Sequence, residues 1–143
     1  MSMYTAKPTP LIEAVAEKLK KVDAIMAPEW SVFAKTGVHR ERPPINPHWW
    51  HIRAAAMMRK IRILGPIGTS KLRRKFGGKK NNTRKGREHM HSGSGSVARK
   101  ILQQLEKAGL AVQTVKGVHK GRILTPKGIS LLDKTAEELK TKS

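Results

Sequence analysis

Apolar residues recur at helical spacing in three stretches of the chain, and in a fourth they run almost all the way round the wheel. Leu11, Ile12, Val15, Ala16 and Leu19 share one face of a first helix. It is expected to open at the Thr9-Pro10 cap and end near Lys20-Lys21, where positive charge suits the C-terminal dipole. Val97, Ala98, Ile101, Leu102, Leu105 and Ala108 form the core face of a later helix, entered through a serine–glycine hinge at 92–96 and stopped at Gly109. Ile129, Leu132, Ala136 and Leu139 form the face of a last helix opened by Thr125-Pro126. Between the first two lies a helix over 47–64, capped by Asn46-Pro47 and stopped by Gly65-Pro66. Its apolar positions (Trp49, Trp50, Ile52, 54–58, Ile61, Ile63, Leu64) leave little polar surface, the pattern of a central, buried helix.

The remaining segments are shorter. Residues 22–46 carry Pro28, Gly37, Pro43 and Pro44 and read as a long ordered connection. One helical turn is expected at 29–33, with Trp30, Val32 and Phe33 available to pack. Thr69 or Ser70 should cap a short basic helix over 71–76, closed by Gly77-Gly78. Residues 79–87, within a basic loop at about 77–95, have no apolar periodicity and are expected to be mobile in isolation. Two short β-like runs, 110–115 and 122–125, flank a basic glycine-containing tip. No repeat and no clean linker divides the chain, so residues 1–143 read as a single domain. The expected class is mainly α, a helical domain around a central amphipathic helix with a small β-hairpin. Helix, helix and β-ribbon in that order is winged-helix-like.

Charge changes the picture most. The 143 residues hold 30 Lys+Arg against 10 Asp+Glu, a formal net charge of +20 with pI near 11.0. A large polyanionic partner is the natural reading. The charge is uneven: residues 35–62 hold seven basic against one acidic, 71–91 nine against one, and 96–127 seven against one. Residues 1–34 and 128–143 are balanced. An acidic membrane is the other polyanion, but no apolar run approaches the roughly 20 residues that span a bilayer. Nor is a secretory signal, a myristoylation start or a prenylation cysteine visible. An intracellular, nucleic-acid-bound protein fits best.

Within the central helix, Arg53 and Lys60 lie within roughly 20° of one another, and Arg59 and Arg62 within roughly 60°. Arginines on a half-buried helix need anionic partners. Phosphate is the favoured partner, with intramolecular pairs to Glu13, Glu17 or Glu29 as the competing reading. The charge pattern further nominates Lys71, Arg73, Arg74, Lys75, Lys79, Lys80, Arg84, Lys85 and Arg87 in the basic run. It adds Lys100 on the later helix, and Lys120 and Arg122 at the ribbon.

Enzymatic and metal chemistry find no seat. His48 and His51, and His89 and His91, lack neighbouring carboxylates or thiolates, and the chain has no cysteine, so no metal or cofactor is expected. The run 93–96 lacks the GxxxxGK[ST] pattern, and no acid pair or Ser/His/Asp set stands out. No small-molecule substrate is expected.

Several short motifs then occur in a specific order. They are Pro28-Glu29-Trp30; Trp49 through Arg53-Ala54-Ala55 to Arg59; Lys71 to Gly77-Gly78; Gly95-Ser96-Val97-Ala98-Arg99-Lys100 to Leu105-Glu106; Gly121-Arg122; Leu124-Thr125-Pro126-Lys127-Gly128; and Leu132-Asp133. Together, over about residues 8–137, they resemble the archaeal and eukaryotic small-subunit ribosomal protein nineteen of the e-type. The resemblance implies a central helix at 47–64 and a cytoplasmic place in the head of the small subunit. Its implied partners are small-subunit ribosomal RNA and neighbouring head proteins, with a role in subunit maturation. It carries RNA-facing or assembly roles to Trp49, Arg53, Arg59 and Arg99. Residues 66–68 and 79–87 depart from the eukaryotic pattern, so contacts of that loop rest on charge alone. The short tail and compact form look archaeal.

Two alternatives stand beside it. A winged-helix DNA-binding transcriptional regulator would concentrate its charge on one recognition helix and one wing. Here the strongest charge lies outside that unit, in 71–87. An adaptor using Trp30, Trp49 and Trp50 is a further reading, though aromatics so placed more often belong to a core.

Overall fold

The computed structural model describes residues 2–80, 86–115 and 117–142. Among the described residues, five helices and two two-stranded antiparallel sheets follow one another: α1 (Pro8–Leu19), α2 (Trp49–Leu64), α3 (Thr69–Lys75), β1 (Gly78–Lys79), β2 (Met90–His91), α4 (Gly95–Lys107), β3 (Ala111–Thr114), β4 (Gly121–Leu124) and α5 (Pro126–Thr141). A 3-10 turn at Glu29–Val32 sits in the long α1–α2 connection. The protein is thus mainly helical with a small β element.

The core forms where the amphipathic faces meet. α2 packs against α1, α5 and β4, while α3 packs on α4. Leu11, Val15 and Leu19 of α1, Trp50, Met57, Met58 and Ile61 of α2, Ile101, Leu102 and Leu105 of α4, and Leu132 of α5 are all buried. One polar bridge runs through this core. Trp50 Nε1–H donates to Gln104 Oε1 at 2.8 Å, and Gln104 Nε2 donates to the Met26 carbonyl at 2.7 Å. His51 Nε2 lies 3.0 Å from the Ile25 carbonyl. The long connection is therefore tied to both α2 and α4, which is why a proline-rich segment can hold one shape. At the other end, the Met3 N–H donates to Asp133 Oδ1 at 2.9 Å and fastens the N-terminal segment to α5.

β3 and β4 pair from Ala111 with Leu124 to Thr114 with Gly121. Ile67, between α2 and α3, adds a bridge to the other edge of β4, exchanging both backbone hydrogen bonds with Arg122 at 3.2 and 3.0 Å. That bridge requires glycine at 121, where φ is +151° and a Cβ would stand 2.6 Å from the Ile67 carbonyl carbon.

Several expectations need correction. α1 opens at Pro8, with Lys7 in the cap position and no side-chain cap, because a proline at the first helical position needs no N–H partner. The Asn46-Pro47 pair forms a turn before α2: Asn46 Oδ1 accepts from the His48 N–H, and helix begins at Trp49. α2 is not buried all round, since Ile63 and Leu64 are exposed and Trp49 and Ile52 only half-buried. The cap of α3 is Gly68 and not Thr69 or Ser70. Gly95 and Ser96 belong to the first turn of α4, capped by the Ser94 hydroxyl accepting from the Val97 N–H. The basic loop is closed at its base by β1 and β2, a pairing too short to leave a periodicity. Val32 and Phe33 do not pack; they are 72% and 84% exposed.

Candidate nucleic-acid interface

Every basic residue nominated from sequence on α3, the hairpin and α4 is exposed where described: Lys71, Arg73, Arg74, Lys75, Lys79, Lys80, Arg87, Arg99 and Lys100, with Lys120 in the β3–β4 turn. Arg84 and Lys85 lie outside the described residues, as does Lys116 of the predicted β-turn. Trp49, Arg53, Arg59, Arg62 and Arg122 are half-buried. Seven of them, Trp49, Arg53, Lys71, Arg74, Lys75, Arg99 and Lys100, line three separate grooves.

In the first, of about 460 Å³, the 36–45 connection lies over α2 and brings Trp49 and Arg53 together with Arg40 and Arg42. Trp49 is braced edge-on by Trp50, with ring centroids 5.4 Å apart. The Arg53 guanidinium lies over the Phe76 ring, 4.5 Å from its centroid. Burial, with Arg40 beside it, pulls the Arg53 pKa from 12.5 down to about 10, so the group stays charged at neutral pH. The second groove, of about 530 Å³, sets Lys71, Arg74 and Lys75 of α3 opposite His119 of the β-turn, over an apolar floor of Leu64, Pro66 and Ile67. The third, of about 480 Å³, sets Arg99 and Lys100 of α4 beside Trp30.

Not every nominated cation faces outward unpaired. Arg122 Nε donates to Glu106 Oε1 at 2.7 Å in a half-buried ion pair. Arg73 Nε donates to the Gly93 carbonyl at 3.2 Å, so this exposed side chain also fastens the exit of the hairpin to α3. The Arg62 guanidinium lies 5.7 Å from the Tyr4 ring centroid. Among the described residues no carboxylate pairs with Arg53, Arg59 or Arg62, and the competing partners Glu13, Glu17 and Glu29 do not reach them. The Nε atoms of Arg59 and Arg62 are buried and donate to no acceptor.

Sequence reasoning passed over Arg40, Arg42 and His39. Their signal was present as positive charge in the proline-flanked part of 35–62, but nothing in the sequence placed that segment over α2. His39 has a buried, unpartnered Nδ1, and its pKa is held below 6.5 by burial first and then by Arg40, Arg53 and His91. Among the described residues, no three His, Asp or Glu side chains come together as a metal site. No helix there is long and apolar enough to cross a membrane.

A family model described as Ribosomal protein S19e matches residues 2–142. The small ribosomal subunit protein eS19 of Aeropyrum pernix is 49% identical over 131 residues, 90% of this chain and 83% of that protein. Its counterpart in Haloarcula marismortui is 44% identical over 143 residues, covering 98% and 92%. That of Entamoeba histolytica is 43% identical over 125 residues, covering 87% and 77%. With a match along nearly its whole length, the chain belongs to the ribosomal protein S19e family, whose members are structural and not catalytic.

Proposed function

We propose that the chain is one RNA-binding domain of the small ribosomal subunit that fixes ribosomal RNA through dispersed Lys/Arg–phosphate contacts. The observation that carries this reading is the row of half-buried arginines on α2, Arg53, Arg59 and Arg62, with no carboxylate partner among the described residues. A buried guanidinium without an anion costs folding free energy; phosphate supplies the anion and accepts from its fixed N–H fork. The contacts extend over α3, the base of the β1–β2 hairpin, the start of α4 and the β3–β4 turn, a surface too broad for one recognition helix. Contacts to backbone phosphate position RNA without reading its sequence, as a structural component requires.

The finer architecture follows a winged-helix order: α2, the Ile67 bridge, α3, α4, β3 and β4, with β1–β2 inserted between the two middle helices. In this reading the β3–β4 turn with Lys120 is the wing. The chain works in the cytoplasm within the small subunit, beside other head proteins, and aids subunit maturation. The relatives in Aeropyrum and Haloarcula support an archaeal type.

Sedimentation of tagged variants through sucrose gradients of cell lysate, at low and moderately high salt, tests the proposal. The native chain and Lys140→Glu should co-migrate with small subunits, while Arg53→Glu and Arg59→Glu should be depleted from them. Migration of the native chain at the top of the gradient, or with chromosomal DNA, refutes the ribosomal reading. Equal incorporation of all variants refutes the role given to α2.

A further inference from the structure

We infer that the groove between Trp30 and the start of α4 holds an unpaired nucleotide of RNA, its base stacked on Trp30 and its phosphate met by Arg99 and Lys100. This rests on the RNA-binding reading above and adds to it a site that reads single-stranded structure.

Four observations converge there. Trp30 is 40% exposed although it sits in a well-fixed turn. It meets Trp50 in a T-shaped contact, with centroids 5.6 Å apart and planes at 83°, and it lines the groove. Such a ring is held in place before any ligand arrives, so stacking on it orders little that was mobile. Arg99 and Lys100 line the same groove, are exposed, and form no ion pair with a carboxylate among the described residues. Ser96 and Gln103 also line the groove and offer hydroxyl and amide groups to base edges. Finally, the volume of about 480 Å³ falls within the roughly 300–1,000 Å³ range of small-ligand sites.

The chemistry selects among RNA forms. Within a duplex each base face is covered by its neighbours, so an aromatic platform can take only a looped-out, bulged or terminal nucleotide. Every base has a π-face, so the groove should accept any base, with sequence preference left to Ser96 and Gln103. The Trp49 groove is less suited to this role, because its Arg53 already lies against Phe76.

The test uses the full chain with two probes: a short single-stranded oligoadenylate, and a blunt RNA duplex of the same length. Trp30→Leu keeps an apolar contact with Trp50 but removes the π-face. It should weaken the single strand by about fivefold or more, the loss expected for one stacked base, and change duplex binding by less than about twofold. Trp30→Phe should restore most of the single-strand affinity. A single strand carrying 2-aminopurine should be quenched on binding the native chain, a readout that needs no variant to fold. Unchanged single-strand binding by Trp30→Leu, or a bound 2-aminopurine strand that stays bright, overturns the groove while leaving RNA binding intact. Failure of the native chain to bind either probe overturns the RNA-binding reading and the groove with it.

Discussion

Arg53 shows how a single side chain is placed against the interest of the fold. Its guanidinium is half-buried over Phe76 and its pKa is pulled to about 10, so a charge sits where the fold alone would prefer none. Replacing a buried charge with an apolar side chain of similar volume is often neutral or stabilising. Arg53→Met should therefore keep or raise the melting temperature, by up to about 1 kcal/mol of stability, while weakening binding to a small-subunit RNA fragment. Thermal melts and filter binding on the same preparation separate the two effects. A marked loss of stability would show that the Phe76 contact outweighs desolvation. His39 makes the complementary case. Its ring fills the space left by Gly37 and Gly78, where a Cβ would stand 2.8 and 3.0 Å from ring atoms. Its folded pKa lies below 6.5, so above that pH both folded and unfolded chains are neutral here and stability is unaffected. As pH falls through 6.5 the unfolded chain takes up the proton first, and stability drops until the folded pKa is also passed. Melting temperatures measured between neutral and mildly acidic pH should fall for the native chain and fall less for His39→Gln.

At the scale of elements, legibility followed the length of the pattern. The core faces of α1, α4 and α5, and the stops at Gly65 and Gly109, were readable because several turns repeat one signal. Gly109 takes the positive φ that such a stop requires. The helix starts were less readable. Lys7, His48 and Gly68 hold the cap positions of α1, α2 and α3 without a side-chain cap hydrogen bond, so the residue signal that marks a helix start in sequence is missing there. The two-residue strands β1 and β2 were invisible for a related reason: pairing of that length is set by what holds its ends. Here Gly93 N–H donates to the Arg73 carbonyl at 2.7 Å and Ser94 N–H to the Thr36 carbonyl at 2.8 Å. Gln104 was a further blind spot, a polar residue on a core face whose reason is the Trp50 indole. The nominated cations were legible as charge, but the grooves that Arg53 and the α3 cations line depend on the path of 36–45 and of the β3–β4 turn. One element test concerns the Ile67–Arg122 bridge. Gly121→Ala would press a methyl into the Ile67 backbone. It should cost about 1–3 kcal/mol, the usual cost of a strained backbone position, and raise hydrogen exchange at the Ile67 and Arg122 amides above that of α1. Native exchange at both amides would mean the sheet absorbs the methyl without losing the bridge.

Over the whole molecule the charge is polarised. α1 and α5 pack together and carry Glu13, Glu17, Asp133, Glu137 and Glu138, half of the ten acidic residues. The exposed cations of α3, the hairpin and α4 lie on other elements. Net charge alone would attract any polyanion from a distance, whereas contact with phosphate releases counterions only where cations and phosphates meet. The two can be separated because removing charge from either region alters the net charge equally. Converting Lys79, Lys80 and Arg87 to Gln should reduce the slope of log affinity against log salt by about 2–3, since each phosphate contact contributes roughly 0.7–0.9. Converting Lys134, Lys140 and Lys142 of the tail to Gln removes the same charge from α5 and its C-terminal end. That variant should bind a small-subunit RNA fragment somewhat more weakly at low salt yet keep the native slope. Equal slope changes in both variants would mean that the molecule is held by its overall field and not by a face. A change confined to the first places the contact face on the hairpin side and leaves α1 and α5 available to neighbouring proteins.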